Sequence, residues 1–257
     1  MLAPSPPPLS FILADNAGLD RPVLCVILDT EEEFDWAAPF SRANVLVESL
    51  AHIHRGQEIF RRFGVQPAYL MDHAVVADPR AADVFGPWLA AGECLAGAQL
   101  HPWVTPPDEE VVCPLNSYPC NLPPDLERRK LATLTQAITA RLGVAPRIYK
   151  AGRYGIDIRR EAMLAELGYE VDTSVMPYRD FSGLGGGPNF FGYPDRPFWT
   201  SAERQVLYLP VSQGPVAPLR HLRRGRLGEA AFGHVSSRLR LPGVLAACRL
   251  LERIMLT

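Results

Sequence analysis

The sequence predicts an α/β fold, an irregular (β/α) barrel with about seven parallel strands. Three observations lead there. Short apolar runs rich in Val, Ile and Leu recur between stretches of helical periodicity. These runs do not alternate apolar with polar residues, as befits strands buried on both faces of a parallel sheet. A polar, mostly titratable residue follows one run after another. The carboxyl ends of parallel strands are where α/β proteins hold their ligands.

The first run, 23–28, leads directly into Asp29-Thr30-Glu31-Glu32-Glu33-Phe34-Asp35-Trp36. A helix is expected over 44–63, where Val47, Leu50, Ile53, Ile59 and Phe60 form a stripe and Gly64 supplies the stop. A strand over 65–71 ends at Asp72-His73, and a helix over 81–91 is closed by Gly92. The Ala- and Gly-rich run 94–100 is a third strand, ending at His101. The clearest helix is Pro124–Leu142. Asp125 and Glu127 favour its positive end, Leu126, Leu131, Leu134 and Ile138 line one side, and Gly143 closes it. A short strand over 146–149 leads to Lys150, a helix spans 157–167, and a strand over 169–171 ends at Asp172. A late strand over 205–211 and a terminal helix over 244–255 complete the pattern. Residues 1–21, Pro-rich at their start, read as an N-terminal extension and 22–257 as a single domain.

A composition of 47% hydrophobic and 21% charged residues in 257 is ordinary for a globular protein. The net charge of −2 gives no electrostatic case for nucleic acid. The basic stretch Arg220-His221-Leu222-Arg223-Arg224-Gly225-Arg226 reads as a solvated connection. No run approaches the roughly 18–20 apolar residues that a membrane helix requires. The 5 cysteines are scattered without a CxxC pair, which suits a reducing cytoplasm.

The acidic strand end carries the functional signal. Asp29, Glu31, Glu32, Glu33 and Asp35 repel one another unless a cation lies among them. The segment therefore reads either as a metal or acid/base site, or as a solvated acidic loop ahead of a helix. Asp29, Asp72, His101, Lys150 and Asp172 each follow a predicted strand, and a parallel barrel gathers all five at one rim.

Together these motifs resemble the polysaccharide deacetylase (NodB-homology) family, and within it the divergent WalW-like branch. Leu28-Asp29-Thr30-Glu31-Glu32 looks like the first motif, with Asp29 at the general-base position and Thr30 where an Asp is usual. His101-Pro102-Trp103-Val104-Thr105 is similar to the second, with Thr105 where a second metal-binding His is usual. The segments 149–155 and 168–174 look like the third and fourth. The fifth motif, a late strand delivering a His as general acid, has no counterpart beyond His221 and His234, neither of which follows an apolar strand. The resemblance thus implies a barrel of the glycoside hydrolase/deacetylase type whose last part is missing, and hence self-association through unpaired edges.

The resemblance implies a metal-assisted hydrolase of carbon–nitrogen bonds other than peptide bonds, acting on an N-acetylated sugar or related small amide. Asp29 would be the base, and Glu31 or Glu32 with His101 would hold a divalent metal, zinc in this resemblance. Arg153 or Lys150 would position Asp29 or the oxyanion, and Asp172 would orient that cation or a His. Trp36, Trp103, Tyr154 and Lys150 would bind substrate, the aromatic rings as a stacking floor or as packing under loops. A second function class is a carbohydrate-binding protein on the same fold with impaired catalysis. A third is a phosphate-ester hydrolase with Asp29 as nucleophile.

Overall fold

The computed structural model of the chain describes residues 11–16, 18–215 and 253–255. An eight-stranded, mostly parallel sheet organises them. Its strands are β1 (Ile12–Leu13), β2 (Ile27–Thr30), β3 (Ala68–Met71), β4 (Leu95–Leu100), β5 (Ile148–Ala151), β6 (Val171–Asp172), β7 (Phe198–Trp199) and β8 (Leu207–Tyr208). They lie in the order β1-β7-β8-β6-β5-β4-β3-β2. Parallel pairings join β2, β3, β4, β5, β6 and β8, whereas β7 runs antiparallel to both β8 and β1. The α/β class with a mostly parallel sheet is the one expected.

The helices are α1 (His54–Arg62), α2 (His73–Ala77), α3 (Arg80–Ala90), α4 (Pro124–Leu142) and α5 (Glu161–Glu166). α4 has the bounds that its sequence signals predict. Pro124 opens it where its missing N–H costs nothing, and Gly143 ends it in the left-handed region at φ 72°. Its buried face carries Leu126, Leu131, Leu134 and Ile138, together with a fully buried lysine, Lys130.

Several boundaries differ from the expected ones, each for a local reason. α1 begins at His54 because a separate 3-10 turn occupies Glu48–Ala51. That turn is held by the acidic loop, since Ser49 N donates to Glu33 Oε1 at 2.5 Å and Glu33 N to Leu46 O at 2.8 Å. β2 starts at Ile27 because its partner β3 starts at Ala68, and Val23 and Leu24 stand exposed ahead of it. Asp157 caps a 3-10 turn at Ile158–Arg160, which delays α5 to Glu161. The strand over 146–149 is shifted to β5, which takes Lys150 into the ladder. Residues 253–255 are corrected from helix to strand: β10 (Arg253–Met255) pairs antiparallel with β9 (Gln213–Pro215). A short apolar run fits either period, and pairing decides between them. Residues 244–252 of that expected helix, and His221 and His234, lie outside the described residues.

Register positions the site. Thr30, Met71, Ala98, Tyr149, Asp172 and Tyr208 lie side by side across the sheet, with Asp29, Leu70, Gly97 and Ile148 one residue earlier. In-register neighbours share a face, and each strand changes face at every residue. Asp29, Gly97, Gln99 and Lys150 therefore occupy one face, and Asp172 the other. Gly97 is required there. A Cβ on it would lie 2.2 Å from Leu70 Cδ2 and 2.8 Å from the Ile148 carbonyl oxygen. Gly97→Ala should destabilise the fold by about 1–3 kcal/mol through overpacking. Chemical denaturation reads this, and an unchanged midpoint would show that the strands can part at no cost.

Candidate active site

The five carboxylates from Asp29 to Asp35 fall into two groups. Asp35 and Glu33 serve structure: Asp35 Oδ1 accepts from Ala37 N at 2.8 Å, and Glu33 caps the turn described above. The other three face polar partners from β3, β4 and β5.

Glu32 and Asp72 are buried, and His101 sits between them with none of its surface exposed. His101 Nδ1 lies 2.7 Å from Glu32 Oε2 and 3.9 Å from Asp72 Oδ2. Asp72 is fixed in turn, accepting from Glu32 N at 3.1 Å and, as the N-cap of α2, from Val75 N at 2.8 Å. On the other side of the ring, Gln99 Nε2 lies 3.2 Å from His101 Nε2 and donates to Glu31 Oε2 at 2.6 Å. Glu31 Oε2 is itself 3.5 Å from His101 Nε2.

These contacts define the tautomer. The Gln99 amide must donate to the Glu31 carboxylate, so its second hydrogen points at His101 Nε2 as acceptor. Nδ1 then carries the proton and donates it to Glu32. Burial lowers the His101 pKa despite the opposing pull of Glu31, Asp72 and Asp29, which keeps the imidazole neutral. Burial raises Glu31 and Glu32, and it raises Asp72 well above the usual carboxylate range, with Glu32 adding to the effect.

Glu32, Asp72 and His101 offer ligand atoms that all lie within 4.8 Å of one another. Glu32 Oε1 is buried without a hydrogen-bond partner. Two carboxylates and a neutral imidazole form a donor set for a divalent transition metal, and a cation would compensate the cluster's negative charge. Nδ1 is the nitrogen that faces both carboxylates, so the residues present fit such an ion once the Nδ1 proton leaves. Thr105, in contrast, is buried with its Oγ1 unpartnered, and its carbonyl accepts from Lys130 Nζ at 2.5 Å.

Asp29 and Lys150 form the open part of the cleft. Lys150 Nζ is hydrogen-bonded to Asp29 Oδ2, and the carboxylate side chain remains 38% exposed while the lysine is only 8% exposed. The ammonium also lies 4.6 Å from the centre of the Tyr154 ring. Lys150 thus pins one carboxylate oxygen and leaves the other to solvent.

The remaining expected site residues are placed as follows. Trp36 is exposed and stands on Phe34 and Phe40, with centroids 4.5 and 6.3 Å away. Trp103 is buried and stacks on His101 at 4.4 Å, so it backs the imidazole and offers no open face. Arg153 contacts Ser117, Pro114 and Leu184, and among the described residues its polar partners do not include Asp29. Asp172 is buried on the opposite face of the sheet, where its carboxylate accepts from Ser174 N at 2.9 Å and Ser174 Oγ at 2.7 Å. Ser174 Oγ accepts in turn from Ala151 N at 2.7 Å, so Asp172 holds β5 in place beside Lys150.

Three contributors escaped the sequence reading. Asp72 stood at a strand end but was given no ligand role. Gln99 had a signal, since it lies two residues before His101 and so on the same face. Lys130 had one too, falling midway between Leu126 and Leu134 on the apolar stripe of α4. It donates to Pro102 O at 2.9 Å and pairs with Glu110 at 2.9 Å, clamping the loop that follows His101.

No protein-family model matches the chain, and no curated protein matches it. Some solved structures are distantly similar. A protein from Mycobacterium smegmatis provisionally classed as a polysaccharide deacetylase is 16% identical with a TM-score of 0.46, covering 73% of this chain and 58% of that one. The 4-alpha-glucanotransferase of Thermococcus litoralis is 12% identical with a TM-score of 0.43, covering 79% of this chain and 30% of that one. The chitin deacetylase of Colletotrichum lindemuthianum is 14% identical with a TM-score of 0.39, covering 88% of this chain and 82% of that one. The chain thus spans little more than half the length of the first. Likeness at this level transfers no activity, and function has to be argued from the chain's own site.

Burial lifts Asp172 from its ordinary pKa of 3.8 to about 7, and the Ser174 hydrogen bonds offset this only in part. An acid whose folded-state pKa is raised contributes stability that is complete below its unfolded pKa and lost as pH rises through the folded one. Stability of the wild-type chain should therefore fall more steeply between about pH 4 and pH 8 than that of Asp172→Asn. Parallel urea-unfolding curves across that range would show that Asp172 does not titrate there.

Proposed function

We propose that this chain is a deacetylase-like hydrolase that cleaves the amide of an N-acetylated sugar or related compound, with Asp29 as general base. One observation carries the reading. Asp29 is an accessible carboxylate pinned by a buried lysine, on the same face of the sheet as an oriented, neutral histidine. The order of the motifs at Asp29, His101 and the segment 149–155 supports it independently.

Amide hydrolysis needs a base for the attacking water and positive charge for the developing oxyanion. Asp29 Oδ1 would take the water's proton, because Oδ2 is held by Lys150. The Lys150 ammonium supplies positive charge next to that oxygen, in a position to stabilise the oxyanion. Glu32 would hold the imidazole so that its Nε2 lone pair faces Glu31 and the cleft. A divalent cation held by His101, through Nε2 with Glu31 or, in place of the Nδ1 proton, with Glu32 and Asp72, would when bound supply Lewis acidity and a more acidic water. Trp36, Phe34 and Phe40 would line the approach for a sugar ring.

The second reading, a glycan-binding protein without turnover, draws on Thr105. Its small buried hydroxyl stands where the resembled family places a second imidazole. Release of acetate from chitooligosaccharides separates the two readings. We expect Asp29→Asn to lower the rate by about 10²–10⁴-fold and Lys150→Met by a comparable or smaller factor, with binding retained. Wild-type protein that binds these sugars yet releases no acetate with zinc supplied would establish the second reading.

A further inference from the structure

The other cations around the cleft are answered by acids: Lys150 by Asp29, Lys130 by Glu110, and Arg42 by Asp108 and Glu110. Arg153 is different. Its Nη1 donates to Ser117 Oγ at 2.5 Å and Pro114 O at 3.4 Å, and its Nη2 to Leu184 O at 3.3 Å. Its guanidinium lies 4.1 Å from the centre of the Tyr118 ring and 5.1 Å from that of Phe40. Among the described residues no carboxylate lies within ion-pair distance of it, and its Nε–H has no partner. The guanidinium is half-buried and therefore already partly stripped of water, with hydroxyl, carbonyls and rings in place of a counter-charge.

The backbone is strained to put it there. Arg153 and Tyr154 are consecutive non-glycine residues in the left-handed region, at φ 55° and φ 60°. Two such residues in succession cost free energy, and strain of this kind concentrates at ligand sites. The kink sends Tyr154 over Lys150 and Arg153 towards Phe40. Phe40 lies 4.7 Å from Trp103, which stacks on His101. A line of ring contacts thus joins the guanidinium through Phe40 and Trp103 to His101, and its neighbour Tyr154 covers the lysine that pairs with Asp29.

We propose that Arg153 is a specificity residue that receives an anionic group of the substrate, so that the preferred amide belongs to an acidic glycan. The proposal rests on the glycan-amide reading above and narrows its substrate class. A carboxylate on a uronic acid unit or a sulfate ester on the sugar offers the same oxyanion, and Arg is the side chain suited to bind either through a planar fork.

Isothermal titration of the full wild-type chain with a metal chelator present, so that turnover is slow and Lys150 keeps its Asp29 partner, tests it. The probes are an N-acetylglucosamine tetramer, its sulfated form, and a tetrasaccharide alternating N-acetylglucosamine with glucuronic acid. At least one anionic probe should bind about tenfold or more tightly than the neutral tetramer, and which one does identifies the anion. Arg153→Met should abolish that preference and leave the neutral affinity unchanged, while Arg153→Lys keeps part of it. Met and Lys meet the same backbone strain as Arg, and thermal melts of both variants check that the loop still folds. Equal affinity for all three probes, or a preference that survives Arg153→Met, overturns the role given to Arg153. Binding of none of the three overturns the glycan reading itself.

Discussion

Two buried carboxylates and one neutral imidazole meet at the ends of β2, β3 and β4, and the cleft is built around satisfying them. Glu32 and Asp72 would be very costly as lone buried charges. Their cost is met by contacts that also do positional work. Asp72 caps a helix and takes the Glu32 amide, while Glu32 takes the His101 ring proton. With one ring nitrogen committed inwards, the other is turned towards Glu31 and Gln99. An orientation imposed by burial thus also fixes which nitrogen faces Glu31.

Backbone and packing hold the imidazole as firmly as the hydrogen bonds do. Gly152 lets the end of β5 approach so closely that a Cβ there would lie 2.5 Å from His101 Cδ2. Trp103 covers the ring from its own loop, and Lys130 ties that loop to α4 through two carbonyls. The Asp29–Lys150 pair is made differently. It joins the edge strand β2 to β5 across two intervening strands, possible because both side chains rise from the same face and Gly97 lies between them. Leu70, folded into the space that Gly97 vacates, keeps that face low.

The class of fold was legible because buried parallel strands leave continuous apolar runs, and α4, opened by Pro124 and stopped by Gly143, was legible to the residue. The strand-end rule brought Asp29, Asp72, His101 and Lys150 to one place, and the structure does gather them. What it could not supply was direction. Arg153 is near Lys150 in sequence, but two left-handed residues turn it away to the Ser117 loop, and such strain leaves no mark in a sequence without glycine at those positions. Asp172 is turned away by the one-residue alternation of its own strand, which a predicted boundary that slips by one residue misassigns. Trp103 looked like a ligand surface because aromatic residues near a rim read alike whether open or buried.

The account stands or falls on how His101 is held. Long-range ¹H–¹⁵N correlation on histidine-labelled protein at neutral pH, with the ring assigned by comparison with His101→Gln, reads its tautomer directly. The arrangement of Glu32 and Gln99 predicts a neutral ring protonated at Nδ1, with Nε2 carrying the lone pair. A ring protonated at Nε2, or one exchanging between the two forms, would contradict it, because the nitrogen offered to the cleft would then be the wrong one.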